Sequence, residues 1–285
     1  MRLEGVPAEQ PECVIGDQPL RIDDVVGLAN GRLRAVLAGS ARGRMKRSAD
    51  ILSRLHERGG DIYGVTTSVG GSVGTRVPPA QASDLSLNVM RMHGIGTGRI
   101  LDDVESAAVI AARLSSLAQG LSGIRPEVAD RMIELLEERA LPRIPSEGSV
   151  GASGDLTPLS YVAAVLVGER EVNFGGREVD AAAALRELGL VPLKLLPKES
   201  LALMNGTSMT TALACLAWSR ARRLARIAST LTAMTSIAID GNAIHFDRRL
   251  HAAKPHPGQG RVAEWIRADL DGFQSRLKPS RLQDR

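Results

Sequence analysis

Three observations predict a mainly α-helical fold. Aromatic residues make up only 2% of the 285-residue chain, while alanine and leucine dominate, a composition that favours helix over sheet. Amphipathic helical patterns recur from about residue 41 onward, separated by glycine-rich loops. Finally, residues 202–240 contain no proline and only one glycine, Gly206, a stretch long enough for a helix bundle.

Taken in order, residues 13–39 read as a short strand or two and then a small helix, with a Gly16-Asp17 turn and an Asp23-led helix start. Residues 41–58 place Met45, Ile51, Leu52 and Leu55 on one helical face, and Gly59-Gly60 ends that helix. The stretch 61–79, "DIYGVTTSVGGSVGTRVPP", is too apolar for a linker and too broken for a regular element, so it is a candidate functional loop. Helical patterns return at about 81–95, 103–121 and 126–139, the last with Pro126 near its start and prolines beyond its end. A glycine-rich run at 148–154 precedes an apolar helix, "PLSYVAAVLVGE", that should be buried on all sides. A hairpin near 170–180, a helix at 180–189, the long helical stretch and an amphipathic segment at 261–273 complete the pattern. We expect two domains, 1–198 and 199–285, the second being the beginning of a long-helix bundle.

Several function classes are disfavoured. With 44% hydrophobic and 24% charged residues the chain has ordinary globular composition, and no run of about 18 apolar residues suggests a membrane span. The net charge of +4 comes from scattered basic residues, and "SRARRLARIAS" reads as the polar face of a helix rather than a nucleic-acid surface. Cys13 and Cys215 lack metal-ligand spacing, and the five histidines form no HxxxH pair, so neither a metal nor a disulfide is expected. The first residues lack a basic-then-apolar signal pattern, which predicts a cytoplasmic protein.

The chemistry concentrates in "GSVGASGDLTPLSY", residues 148–161. Ser153 as a nucleophile would need a base and an orienting third group, and its neighbours do not form a hydrolase elbow. As a phosphate loop the run lacks a Gly-Lys-Ser/Thr ending. A surface turn is the plain alternative, but it leaves the acidic residue and the apolar helix that follow unexplained. A further reading is covalent. In a tight Ala-Ser-Gly bend the Gly154 nitrogen can attack the Ala152 carbonyl; loss of two waters then leaves an imidazolone whose exocyclic methylene derives from Ser153. Glycine suits that role because its missing Cβ permits the close approach.

These motifs resemble those of the histidine and aromatic amino acid ammonia-lyases and their related aminomutases. "GSVGASGDLTPLSYVAAVLVGE" is similar to the family's signature around its prosthetic group, "YGVTTSVGG" to its catalytic tyrosine loop, "ESLALMNGTSMTTALA" to its Asn-Gly-Thr segment, and "KPHPGQGRVAEWIR" to a fourth family run. The four occur in matching order over residues 62–262. The resemblance implies a fumarase/aspartase-like helical fold and a methylidene-imidazolone formed from Ala152, Ser153 and Gly154, with Asp155 supporting the cyclisation. It implies that Tyr63 removes a β-proton. A phenol ionises only at about pH 10 in water, so that role requires dipoles or cations that stabilise a phenolate.

Asn205 matches a residue that hydrogen-bonds near the prosthetic group and substrate, and Gly70 and Gly71 match the loop that closes over the site. Met92 and His93 fall at the family's selectivity position, with Leu203 lining the same pocket and Gln283 matching a substrate-contacting glutamine. His93 favours a polar ring, imidazole or phenol, over a bare phenyl. Ser68-Val69 departs from the aromatic residue common after the threonines. Family members continue beyond this sequence into a run that carries a second tyrosine and the arginine for the substrate carboxylate. The expected function is therefore an ammonia-lyase acting on histidine or tyrosine. The alternatives are a 2,3-aminomutase and a half-chain inactive by itself. Full-length family members are expected as homotetramers that take a small-molecule amino acid, with no nucleic-acid or membrane partner.

Overall fold

In the computed structural model, residues 10–149 and 154–271 are described; Ala152, Ser153 and Gln283 lie outside the described residues. The chain divides near residue 216 into two compact units, which are taken separately.

The first unit opens with β1 (Glu12–Ile15), α1 (Ile22–Ala29) and β2 (Arg34–Leu37). The strands pair in parallel, with Cys13 beside Ala35 and Ile15 beside Leu37. A parallel pair requires a crossover, and α1 supplies it, so the second strand follows the small helix instead of preceding it as expected. Helix α2 (Gly39–Glu57) forms where predicted and is followed by Gly59 and Gly60 at φ +74° and +118°. Its expected face packs in part: Met45 is buried and Leu52 half-buried, whereas Ile51 and Leu55 are about half exposed. Residues 61–79 form no strand or α-helix, as their broken pattern predicts; they include a short 3-10 turn at Gly70–Ser72, and a second, Pro79–Gln81, begins at their end.

After α3 (Ala82–His93) and β3 (Thr97–Ile100) comes α4 (Asp103–Leu117), the most deeply buried long helix of the unit. Its start is fixed reciprocally. The Glu105 amide donates to the Asp102 carboxylate at 2.8 Å, and the Asp102 amide donates to the Glu105 carboxylate at 3.0 Å. Ala107, Ala108 and Ala111 let neighbouring helices approach closely, while Ile110, Leu114 and Leu117 fill the core. Each such large side chain stabilises the fold by roughly 1.5–3 kcal/mol relative to exposure.

Helix α5 (Pro126–Glu137) is followed by the short strands β4 (Leu141–Pro142) and β5 (Pro145–Glu147). Strand β5 pairs antiparallel with β3 and thereby anchors the N-terminal side of the glycine-rich run, an element the sequence pattern did not reveal. Beyond the run, α6 (Leu156–Leu166) is buried at every position from Thr157 to Leu166. The expected hairpin forms as β6 (Glu171–Phe174) and β7 (Arg177–Asp180), turning through Gly175 and Gly176 at positive φ. Helix α7 (Ala181–Glu187) and a proline-containing connection lead to α8 (Glu199–Met204).

The long helical stretch is not continuous. It breaks after α8 at Asn205–Thr207 and resumes as α9 (Ser208–Ala238). Asn205 is extended, at φ −81° and ψ 107°, and Gly206 takes φ +155°, a conformation that suits glycine alone.

The second unit contains the remainder of α9, a 3-10 turn at Ala243–Phe246, α10 (Arg248–Ala253) and α11 (Pro257–Leu270). Ala233, Ile266 and Leu270 form its small core, with Ala243 and Phe246 against it. On α9, Leu224, Ile227, Leu231 and Met234 recur at intervals of three and four, and each is at least 47% exposed. Among the described residues no helix is long and apolar enough to cross a membrane.

Candidate active site

The site is organised around α8 and the bend that follows it. Helices α3, α6 and α8 pack mutually, and the buried hydroxyls of Ser86 and Ser200 hydrogen-bond at 3.0 Å between α3 and α8. The N-terminus of α8 is anchored by Glu199, which is 1% exposed and receives Arg125 Nε and Nη2 at 2.8 Å each.

The glycine-rich turn meets the bend directly. Gly154 and Gly206 form an isolated parallel bridge, and the Asp155 amide donates to the Gly206 carbonyl at 2.7 Å. Gly154 has φ +87°, and a Cβ added there would overlap the Gly206 carbonyl oxygen. On the other side, Ser149 Oγ donates to the Gly154 carbonyl at 2.9 Å. The Gly154–Asp155 peptide is thus gripped at both its oxygen and its nitrogen.

Asp155 is buried, and its carboxylate crosses to the first turn of α9. Thr210 donates its amide to one oxygen and its hydroxyl to the other, both at 2.8 Å. A carboxylate there also meets the positive end of the α9 dipole. Asp155 therefore stands at the start of α6 in the backbone and at the start of α9 through its side chain.

Arg113, on α4, lies behind this joint at 2% exposure. It donates to the carbonyls of Ala202 and Asn205, the latter at 3.0 Å, and approaches Ser208 Oγ at 3.4 Å. Burial pulls its guanidinium below the ordinary arginine value, to about 10, and the charge of Asp155 works against that shift. Sequence reasoning missed Arg113, Ser149 and Thr210. For Arg113 a signal existed, a lone charge inside the apolar run "SAAVIAARLSSLA".

The tyrosine loop rests on α8, where a Cβ on Gly64 would overlap Leu201 Cδ1. Tyr63 is 50% exposed, and its hydroxyl accepts the Gly70 amide at 2.9 Å. Gly70 takes φ +57°, and both Gly70 and Gly71 have open space where a side chain would stand. Met92 is exposed and His93 half-buried at the end of α3. His93 Nδ1 lies 2.7 Å from the Val89 carbonyl, an interaction that requires the proton on Nδ1 and leaves Nε2 as an acceptor in the neutral ring. Asn205 is exposed on the bend, whereas Leu203 is fully buried in the core, away from that surface. Among the described residues no cluster of three metal-binding side chains occurs.

The helical fold that carries these residues is shared with solved lyases and aminomutases. Tyrosine aminomutase from Streptomyces globisporus superposes with a TM-score of 0.85 at 36% identity, over 90% of this chain and 48% of that one. Histidine ammonia-lyase from Trypanosoma cruzi gives 0.83 at 31% identity, over 90% and 50%. The chain belongs to the aromatic amino acid lyase family, whose model matches residues 20–285. Among curated relatives, the histidine ammonia-lyase of Sorangium cellulosum is 38% identical over 273 residues, 94% of this chain and 53% of that protein. The human histidine ammonia-lyase is 38% identical over 266 residues, 92% and 40% respectively. The chain spans about half the length of the curated relatives it matches.

Proposed function

We propose that the chain forms the prosthetic-group half of a cytoplasmic ammonia-lyase acting on a polar aromatic L-amino acid. Histidine, giving urocanate, is the first substrate to test and tyrosine, giving coumarate, the second. Relatives named histidine ammonia-lyase favour the former, while the tyrosine aminomutase neighbours keep the latter in play. The observation that carries the reading is the double grip on the Gly154–Asp155 peptide. Cyclisation of Ala152-Ser153-Gly154 needs a residue without a Cβ at position 154 and a backbone held in a bend, and both conditions are met at Gly154.

The methylidene-imidazolone would supply an electrophile for the substrate amine, turning a poor leaving group into a good one. Tyr63 would take the β-proton; the Cα–N bond breaks, and arylacrylate and ammonia are the products. The Gly70 amide, donating to the phenol oxygen, would hold the ring in place for that step. Asn205, exposed beside Gly206, would orient the substrate, and His93 Nε2 and Met92 would meet its ring. Gly70 and Gly71 would let the loop close, Gln283 would touch the substrate, and Leu203 would support the pocket wall from the core.

Return of the amine to the β-carbon instead would make a 2,3-aminomutase, a second reading favoured by the aminomutase neighbours. The remaining half of the protein would supply the arginine for the substrate carboxylate, and the full-length assembly would be a homotetramer.

Intact mass of the purified chain tests the prosthetic group. The expected mass is two waters below that of the sequence, and Ser153→Ala should restore both. An unchanged mass in folded protein would refute the ring. A chain extended by its native downstream sequence should release acrylate from histidine or tyrosine faster than from phenylalanine. Tyr63→Phe should abolish release while leaving the mass deficit intact.

A further inference from the structure

We infer that Arg113 is a positioning residue for ring closure: by holding the Ala202 and Asn205 carbonyls it sets the Gly206 bend that grips the Gly154–Asp155 peptide. The inference rests on the ring reading and assigns the residue that shapes the reacting turn.

A guanidinium inside a helix core is costly to bury, and simple packing would be better served by leucine or methionine. Arg113 instead directs one nitrogen, Nη2, to two carbonyls at the end of α8, Ala202 and Asn205, where the break in the helix removes the amides that would otherwise pair with them. A planar guanidinium suits this geometry because its donors diverge at fixed angles. Gly206 fits closely against it, since a Cβ on Gly206 would overlap Arg113 Nη1. Arg113 therefore fixes both the path of residues 202–206 and the absence of a side chain at 206.

The bend transmits this to the turn. Its Gly206 carbonyl receives the Asp155 amide at 2.7 Å, and Ser149 holds the Gly154 carbonyl opposite. With that peptide plane fixed, the approach of Gly154 N to the Ala152 carbonyl carbon is governed by the remaining backbone rotations of residues 152–154. In the closure the Gly154 nitrogen bonds to the Ala152 carbonyl carbon, and two waters leave, one carrying that carbonyl oxygen and one the Ser153 hydroxyl. Arg113 takes no part in the bond changes; its effect runs wholly through Gly206.

The test is the two-water mass deficit, followed in time after refolding, in Arg113→Lys, Arg113→Gln and the control Arg125→Lys. Lysine keeps the charge but loses the planar NH₂ group that serves both carbonyls, while glutamine loses the charge but keeps a planar donor. Both Arg113 variants should close the ring at least tenfold more slowly than the unsubstituted chain. Arg125→Lys, which loosens the other end of α8, should lower the melting temperature without slowing closure. Closure at the native rate in folded Arg113→Lys and Arg113→Gln would overturn the inference and leave the ring reading standing. Equal slowing in Arg125→Lys, or loss of a cooperative melt in both Arg113 variants, would overturn it in favour of a general scaffold role. Absence of the deficit from the unsubstituted chain would remove the ring reading and this inference together.

Discussion

Gly64 lies against Leu201: a Cβ placed on Gly64 would overlap Leu201 Cδ1. This close approach seats the Tyr63 loop on the helix that leads to Asn205, and at φ +67° Gly64 also occupies backbone space that costs another residue about 1–2 kcal/mol. Gly64→Ala should therefore expose residues 61–79 to proteolysis and lower activity in the extended chain. Leu201→Ala should relieve the overlap while opening a cavity that costs about 2–5 kcal/mol. In a double-mutant cycle on thermal stability the pair should couple by at least ~0.5 kcal/mol in the favourable direction. Strict additivity would mean that the loop does not rest on Leu201.

Arg125 and Glu199 provide a second test. The carboxylate is buried and accepts the Leu196 amide at 2.8 Å as well as the guanidinium, whose hydrogen bond to Glu199 is the main cause raising the Arg125 pKa. Arg125→Met leaves that carboxylate buried without its cation and should cost about 3–5 kcal/mol in urea unfolding. Arg125→Met with Glu199→Leu should recover much of the loss. A single substitution within ~0.5 kcal/mol of the unsubstituted chain would show the pair to be dispensable.

The Cys13 thiol gives a pH signature. Burial, and then the charge of Asp24, pushes its pKa above the ordinary 9.0. A raised folded value means that the unfolded thiol ionises first as pH climbs. The stabilisation is thus complete below pH 9.0 and is lost as pH rises through the folded value. Melting temperatures of Cys13→Ala and the unsubstituted chain should keep a constant offset below pH 9.0 and converge above it. Cys215 shifts in the same direction through burial, so the comparison belongs in a Cys215→Ala background.

On α9, the exposed row Leu224, Ile227, Leu231 and Met234 follows a coiled-coil interval. Contiguous apolar surface of this kind promotes association. The isolated 285-residue chain should self-associate with rising concentration in sedimentation runs, and Leu231→Glu with Met234→Glu should suppress it without changing the fold of residues 10–216. Equal association in the charged variant would place the contact elsewhere.

Much of this architecture was legible because helix signals are local. The buried run of α6, the β6–β7 hairpin and the stop of α2 at Gly59 follow from periodicity and turn chemistry within a few residues. The errors arose where a distant partner decides. Nothing near Thr97 announces pairing with Glu147. The break at Asn205 hides inside an apolar helical pattern because its stabilising cation comes from Arg113, 92 positions earlier. Likewise, Ile51 and Leu55 share a helical face with Met45, yet only Met45 is buried. For the candidate site, the motifs marked Gly154, Asp155 and Asn205 but not their supports. Ser149 and Thr210 are ordinary residues whose importance lies in what they grip.

The Asp155 carboxylate reaches Thr210, 55 positions downstream, and its amide reaches Gly206. During synthesis the glycine turn therefore leaves the ribosome well before the residues that give it its shape. On the proposed ring reading, maturation would be tied to a point in translation, because Asp155 and Gly154 find their partners only when the start of α9 has emerged and docked. A nascent chain arrested before residue 206 would carry every atom of Ala152-Ser153-Gly154 and still lack the mould in which to close them.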